Sequence, residues 1–426
     1  MAWLRADARA AWEAAVAAVD PQCAVARALP EFPGIDCGLP GVLVVATGKA
    51  AVAMLRGVGR PAEAVALIPH DAPVGDKPAG VHVLRGAHPI PDSSGLRSSK
   101  TILERVCALR RGETLVYLVS GGTSSLFEVA RPGIDEDDLI EAYGVLLGCG
   151  APIADVNAIR EALSQVKGGG LARAAHPARV VTLAVSDVGG EDPAVIGSGP
   201  TLAPLSRSES AEQIARRIGL LERFRPSILR ALAHPSKPSV QEYDPCLVVA
   251  GIGDAVGAAC KELSARGYRS FSCEPLALRG DAGRCAQVLA ERVKDALGTG
   301  RRCSLVWGGE VTVELGQGAG TGGRCRHMAL RLAELLDSRA DFACLIAGTD
   351  GCDGSADAAG AVIDGGTADR LRGAGYRPAL ALAAFDSGPG LAAVGDALVT
   401  GPTGTNVGDL LVVTVGDGRE RPAGLC

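Results

Sequence analysis

Leu115-Val-Tyr-Leu-Val-Ser-Gly-Gly-Thr-Ser-Ser-Leu126 is the stretch whose reading decides the fold. Its opening run, Leu115–Val119, has no polar alternation. That is the signature of a strand buried on both faces, as in a parallel sheet. Gly121-Gly122 then lets the backbone turn sharply, and a helix-like pattern begins. Ser120, Thr123, Ser124 and Ser125 place hydroxyls where strand, glycine turn and helix N-terminus form an anion cradle. The same residues also suit an ordinary tight turn with a Ser/Thr cap.

The pattern recurs along the chain. Val42–Ala46, Val180–Val185, Leu247–Ala250, Ser304–Trp307 and Cys344–Ala347 are short apolar runs, and several end in Gly, Ser or Asp before a helical stretch. Alternating strands and helices predict an α/β fold with a doubly wound sheet, and ligands at the carboxyl ends of the strands. At 426 residues the chain has room for two or three domains. The polar, proline-rich segment His234–Pro245 marks a boundary, giving expected domains 1–240 and 241–426.

Composition narrows the function classes. Hydrophobic residues are 47% and charged residues 21%, a globular balance that excludes global disorder. The net charge of −5 comes without a basic run, which argues against a nucleic-acid surface. No stretch of 18 apolar residues occurs, so no membrane span is expected. The first 20 residues read as an amphipathic helix without the apolar core of a signal peptide. The 13 cysteines include no CxxC spacing, so reduced thiols and a cytoplasmic location are expected. Lys occurs only at positions 49, 77, 100, 167, 237, 261 and 294, so a Lys inside a motif invites inspection.

Lys49 is such a residue. In Val44-Val-Ala-Thr-Gly-Lys-Ala-Ala51 a strand runs through Gly48-Lys49 into a helix. An ammonium beside free helix N–H groups suits phosphate, although the spacing is not that of a Walker loop. Asn157, Arg160, Ser164 and Lys167 recur at helical spacing and share one face, either a binding stripe or a solvated one. The strand ending in Ser186-Asp187 puts a carboxylate at the sheet's carboxyl edge, suited to a base or a metal ligand, with Glu191 and Asp192 nearby. Gly316–Gly323 precedes Arg324, and a guanidinium fork after flexible N–H groups fits a carboxylate or phosphate. Asp350, Asp353 and Asp357 resemble part of a calcium loop without completing its pattern. Thr400–Asp409 is a polar turn carrying Asn406. A competing signal is Gly251-Ile-Gly-Asp-Ala-Val-Gly257 with Glu274, a weak variant of the dinucleotide fingerprint.

Taken in order, these loops resemble the type II glycerate kinase family, whose members are also labelled glycerate 2-kinases or hydroxypyruvate reductases. The resemblance rests on Thr47-Gly-Lys-Ala, Gly86-Ala-His-Pro-Ile-Pro-Asp92, Ser120-Gly-Gly-Thr-Ser, Asn157-Ala-Ile-Arg through Ser164-Gln-Val-Lys-Gly-Gly, and Ser186-Asp187 with Asp192-Pro. Gly197-Ser-Gly-Pro-Thr201, Gly308-Gly-Glu-Val-Thr-Val, Gly322-Gly-Arg, Gly348-Thr-Asp-Gly-Cys-Asp-Gly and Gly401-Pro-Thr-Gly-Thr-Asn complete it.

The resemblance implies a Rossmann-like N-terminal domain and a smaller mixed α/β C-terminal domain of MOFRL type, with the active site in the cleft between them. It implies an ATP- and Mg²⁺-dependent kinase acting on a hydroxyl of D-glycerate, usually the 2-hydroxyl. A different hydroxy acid or polyol is one alternative acceptor, and an NAD(P)-dependent hydroxypyruvate reductase is another reading. Phosphoryl transfer needs positioning and charge neutralisation. Lys49 is then expected to stabilise transferred phosphate charge, Asp187 to take the hydroxyl proton or hold Mg²⁺, and Arg324 to pair with substrate carboxylate or phosphate. Gly48, Ser120, Gly121, Gly122, Thr123, Ser124, Asn157, Arg160, Lys167 and Asn406 are expected at the nucleotide or substrate, and Asp187, Asp192, Asp350 and Asp353 at the metal. The partner is a small hydroxy acid, with no nucleic acid or membrane, and a homo-oligomer is left open. One departure stands out: the family's Asn-Gln-Glu after Gly-Gly-Arg is replaced by Cys325-Arg326-His327. If those positions face the ligand, the site becomes more positive and its acceptor differs.

Overall fold

The structure, a computed structural model, describes residues 2–187, 193–204, 207–234, 244, 246–315, 319–354 and 358–418. The chain forms two compact units. The first is drawn from Pro21–Asp187 and Glu191–Val249, the second chiefly from Met1–Asp20 and Ala250–Cys426. Most of the expected boundary segment, 235–243 with Pro245, lies outside the described residues, as do Glu191 and Asp192.

The first unit carries a six-stranded sheet of β1 (Val42–Thr47), β2 (Glu63–Pro69), β3 (Val81–Gly86), β4 (Thr114–Val119), β5 (Arg179–Val185) and β6 (Cys246–Ala250). Their order across the sheet is β3-β2-β1-β4-β5-β6. β1 pairs in parallel with β2 and β4, β2 with β3, and β4 with β5. This is the doubly wound order, and it reverses direction between β1 and β4, the point where such sheets open a crevice for ligands. The strands are apolar without alternation because helices cover both faces; Leu43, Val44, Val45, Leu115, Val116 and Leu118 are all buried.

The second unit holds β7 (Arg269–Asp281), β8 (Cys303–Thr312), β9 (Phe342–Gly348), β10 (Gly360–Asp364), β11 (Ala397–Leu398) and β12 (Asp409–Val415). Their order is β11-β10-β9-β12-β8-β7. β12 runs antiparallel to both β8 and β9, whereas β7 and β8 are parallel, so the sheet is mixed. Every residue of β12 is buried, as expected of a central strand.

The first helix, Ala2–Ala18, belongs to this second unit rather than to the N-terminal domain in which the division at 240 places it. The reason is electrostatic as well as apolar. Asp7 is fully buried and accepts from Arg266 Nη1 (2.7 Å), Tyr268 Oη (2.9 Å) and Arg302 Nη2 (3.2 Å). Arg5 pairs with Asp364 at 2.7 Å and Asp396 at 2.8 Å. A buried carboxylate with three donors is tolerated only where all three are in place. No described helix is long and apolar enough to cross a membrane.

Candidate active site

In the first unit, the ends of neighbouring strands bring the expected residues together. Thr47 closes β1, and its Oγ1 bonds Tyr117 Oη (2.8 Å) and Thr123 Oγ1 (3.0 Å), tying the β1 end to the turn after β4. Lys49 N–H donates to the Gly121 carbonyl (2.9 Å), and Ala50 N–H to Ser120 Oγ (3.1 Å). Two turns therefore lie side by side at the switch point. Their glycines are needed there. Gly48 has φ +110°, and a Cβ on it would sit 2.4 Å from Ser120 Oγ. A Cβ on Gly121 would sit 2.1 Å from Asp187 Oδ2, just beyond the end of β5. Lys49, Gly121 and Asp187 are thus one constellation on three adjacent strands.

Lys49 is exposed and has no carboxylate partner among the described residues. His88, in the loop after β3, also approaches Gly122: its Cδ2 lies 3.2 Å and Lys49 Cγ 3.5 Å from the position of a Cβ there. Partial burial of the ring holds His88 below the ordinary imidazole range; Lys49 and Arg160 push the same way and Asp71 opposes them. His88 is a neutral imidazole at neutral pH. The sequence reading did not assign it a role, although its Gly-Ala-His-Pro loop was visible.

The helical stripe resolves differently from expectation. The helix spans Ile153–Leu163, and Ser164 is already extended (φ −107°, ψ 144°), so Lys167 is not on the helix face. Nor is the stripe solvated: Asn157, Arg160, Ser164 and Lys167 are all buried. Lys167 Nζ is held by Glu128 Oε2 (2.6 Å) and the Phe127 carbonyl (3.2 Å). Burial pulls the Lys167 ammonium down, and Glu128 opposes that pull. Glu128 also accepts from Tyr143 Oη. Lys167 is therefore spent on an internal pair. Asn157 Oδ1 accepts from Ser198 Oγ (3.3 Å), which meets Ser124 Oγ at 3.1 Å.

The second unit builds its own cluster. Arg324 opens the helix Arg324–Leu335. Asp409 takes it bidentately (Nε 2.7 Å, Nη2 3.0 Å), and Glu310 Oε1 holds Nη1 at 2.5 Å. Burial pushes the Asp409 carboxyl up to about 6, against the pull of Arg324. Asp353 accepts from Cys325 N–H (2.9 Å), Arg326 N–H (2.9 Å) and Arg326 Nε (3.1 Å), so both its oxygens cap that helix. Asp350 Oδ1 accepts from Cys352 N–H (2.9 Å), and Asn406 Oδ1 from Gly408 N–H (3.2 Å). Asp350 and Asp353, expected at the metal, accept these bonds within a turn and at a helix N-terminus. No group of three or more His, Cys, Asp and Glu that could hold a metal ion occurs among the described residues.

The Cys325-Arg326-His327 departure is internal. Cys325 and Arg326 are buried, Asp353 neutralises Arg326, and His327 stacks on Phe385 with ring centroids 5.0 Å apart. The expectation of a more positive site fails because the added cation carries its own counter-ion. The dinucleotide signal also dissolves. β6 lies in the first sheet and β7, which carries Glu274, in the second, so the two strands do not flank the turn as a βαβ unit. Asp254 Oδ2 moreover accepts from Gly251 N–H at 3.0 Å, using a donor that would face a pyrophosphate.

Comparison with known proteins agrees with this architecture. Residues 7–233 match the family described as a domain of unknown function, DUF4147, and residues 303–409 match the MOFRL family. The chain is 34% identical to a D-glycerate 2-kinase of Thermotoga maritima over 414 residues, covering 93% of this chain and 95% of that one. It is 36% identical over 422 residues to a protein of Agrobacterium vitis named a putative hydroxypyruvate reductase, covering 96% and 94%. The crystal structure of a glycerate kinase from Thermotoga maritima superposes with a TM-score of 0.88 at 31% identity, covering 97% of this chain and all of that one. A Pyrococcus horikoshii structure gives 0.80 at 29% identity, covering 97% and 98%. The chain belongs to the glycerate 2-kinase family, with an N-terminal DUF4147 domain and a C-terminal MOFRL domain.

Proposed function

We propose that this protein transfers the γ-phosphoryl group of ATP, with Mg²⁺, to a hydroxyl of D-glycerate, the 2-hydroxyl, or of a closely related hydroxy acid. One observation carries the reading. Lys49 projects from the β1 turn, at the switch point, without a counter-ion among the described residues, beside the Ser120-Gly-Gly-Thr turn and Asp187. An uncompensated ammonium and clustered backbone and hydroxyl donors are what a transferring phosphoryl group requires. The names of the relatives supply the acceptor.

The residues fit the metal as well. Mg²⁺ commonly takes one or two protein carboxylates and completes its shell with phosphate oxygens and water. Asp187, beside the phosphate-binding turn, is a donor of that kind; when bound, the ion would neutralise charge on the phosphates. The Asp187 carboxylate otherwise accepts the proton of the attacking hydroxyl. Within the second unit, Arg324 can take an anionic oxygen by exchanging Glu310, its more exposed partner, while Asp409 keeps the fork oriented. The Ser124 hydroxyl and the backbone N–H groups of the glycine turn donate to phosphate, while the Ser120 and Thr123 hydroxyls, which donate to the Thr47 and Ser120 carbonyls, hold the turn in shape.

Lys49→Ala tests the reading. It is expected to lower kcat with ATP and D-glycerate by at least ~10² while leaving the melting temperature within 1–2 °C or so, because an exposed, unpaired Lys contributes little to stability. A kcat near that of the unsubstituted protein would remove Lys49 from the chemistry. Asp187→Asn is expected to lose a similar factor. A raised Mg²⁺ requirement in that variant marks the metal role, and an unchanged one marks the proton role.

A further inference from the structure

Three cations are buried among the described residues: Arg160, Lys167 and Arg326. Lys167 has Glu128 and Arg326 has Asp353. Arg160, at 8% exposure, has neither an ion pair nor a hydrogen bond among the described residues, and its Nε is a buried donor with no acceptor there. A buried charge is ordinarily paired, because an unpaired one forfeits its hydration without return.

Its surroundings hold it in place without neutralising it. The guanidinium carbon lies 4.9 Å from the centroid of the Tyr143 ring, so the cation rests on an aromatic face. Tyr143 is fixed from below by its Oη–Glu128 bond, and the single charge of Glu128 is taken by Lys167. The cluster of Arg160, Lys167 and Glu128 therefore keeps one net positive charge, located on Arg160. One helical turn earlier, Asn157 meets the Ser198 and Ser124 hydroxyls. Burial of the ring holds His88 below the ordinary imidazole range, and Lys49 and Arg160 both push the same way.

We infer that Arg160 is the anchor for the acceptor's carboxylate, held ready by the Tyr143 ring and by a Glu128–Lys167 pair that removes the competing counter-ion. This deepens the kinase reading and rests on it for the identity of the acceptor. The planar guanidinium fork matches a planar carboxylate bidentately. Phosphate, in contrast, is served by Lys49 and the glycine turn. The assignment makes the site one for hydroxy acids rather than polyols: a neutral acceptor leaves Arg160 buried and unpaired.

The test compares D-glycerate with its uncharged amide, glyceramide, as acceptors, and measures acceptor and nucleotide binding separately by calorimetry. The unsubstituted protein should prefer glycerate by at least ~10² in kcat/KM. Arg160→Met should lose at least ~10² on glycerate and less than about threefold on glyceramide. Arg160→Lys should recover part of the glycerate rate. Because the cation lacks a counter-ion, Arg160→Met should melt no lower than the unsubstituted protein; a purely structural arginine would melt lower. Equal losses on the two acceptors, or weakened binding of a non-hydrolysable ATP analogue with unchanged glycerate binding, would overturn the assignment. Should the unsubstituted protein phosphorylate neither compound, the kinase reading fails; Arg160-dependent glycerate binding would still uphold the anchor, and Arg160-independent binding or none would end it.

Discussion

Gly121→Ala is the most local perturbation of the constellation. The added Cβ would lie 2.1 Å from Asp187 Oδ2 and 2.8 Å from its Cγ, where ordinary contact begins at 3.4 Å. The carboxylate or the turn must therefore give way by about 1.3 Å. The turn cannot do so freely, because the Gly121 carbonyl is bonded to Lys49 N–H and the turn to Thr47, so the carboxylate is the group displaced. Overpacking of this size costs about 1–3 kcal/mol, which lowers the melting temperature of a unit of this size by about 2–10 °C. The kinetic effect is larger: displacing a reacting group by about 1 Å costs about 10²-fold. The assay is kcat with saturating ATP, Mg²⁺ and D-glycerate, beside a thermal melt. Gly257→Ala is the control. It lies in the helix Ile252–Ala265 with nothing within 4 Å of a new Cβ, so it should leave kcat unchanged and stabilise by about 0.5–1 kcal/mol. A Gly121→Ala protein with undiminished kcat would show that the placement of Asp187 against this turn has no part in the reaction.

Other consequences follow from the buried charges. Lys167→Met leaves Glu128 without its cation and should destabilise by about 3–5 kcal/mol in urea unfolding, whereas Lys167→Met with Glu128→Gln should recover most of that loss; equal losses would mean the pair is not coupled. Asp409 has its carboxyl raised to about 6 by burial, above the unfolded value of about 4. Its contribution to stability is therefore fully present below pH ~4 and is lost as pH rises through about 6. Asp409→Asn should flatten the melting-temperature profile across that window, and an unchanged slope would place the titration elsewhere.

The strands were legible because a buried parallel strand writes itself as an unbroken apolar run. The run Leu115–Val119 became β4, extended by one residue at its start, and Cys344–Ala347 became β9, extended at both ends. The turns after β1, β4 and β5 were legible too, since glycine, lysine and aspartate at a strand end have few other uses. What escaped the sequence is long-range pairing. Asp7 finds partners at Arg266 and Arg302, so local pattern could not place the first helix. Lys167 looked like a stripe residue because its spacing was helical, but Glu128, 39 positions away, buries it. Arg326 looked like added positive charge until Asp353 was seen beneath it. The orphaned state of Arg160 is likewise a property of the folded chain: nothing in Asn157-Ala-Ile-Arg distinguishes an arginine with a carboxylate from one without.

The central claim is phosphoryl transfer to glycerate from the β1–β4 edge. Incubation of the full chain with ATP, Mg²⁺ and D-glycerate, with products read by phosphorus NMR, tests it most directly. The account predicts a 2-phosphoglycerate resonance that grows with ADP and is nearly abolished by Lys49→Ala. A spectrum holding only ATP, or one in which Lys49→Ala forms product at the rate of the unsubstituted protein, would contradict it.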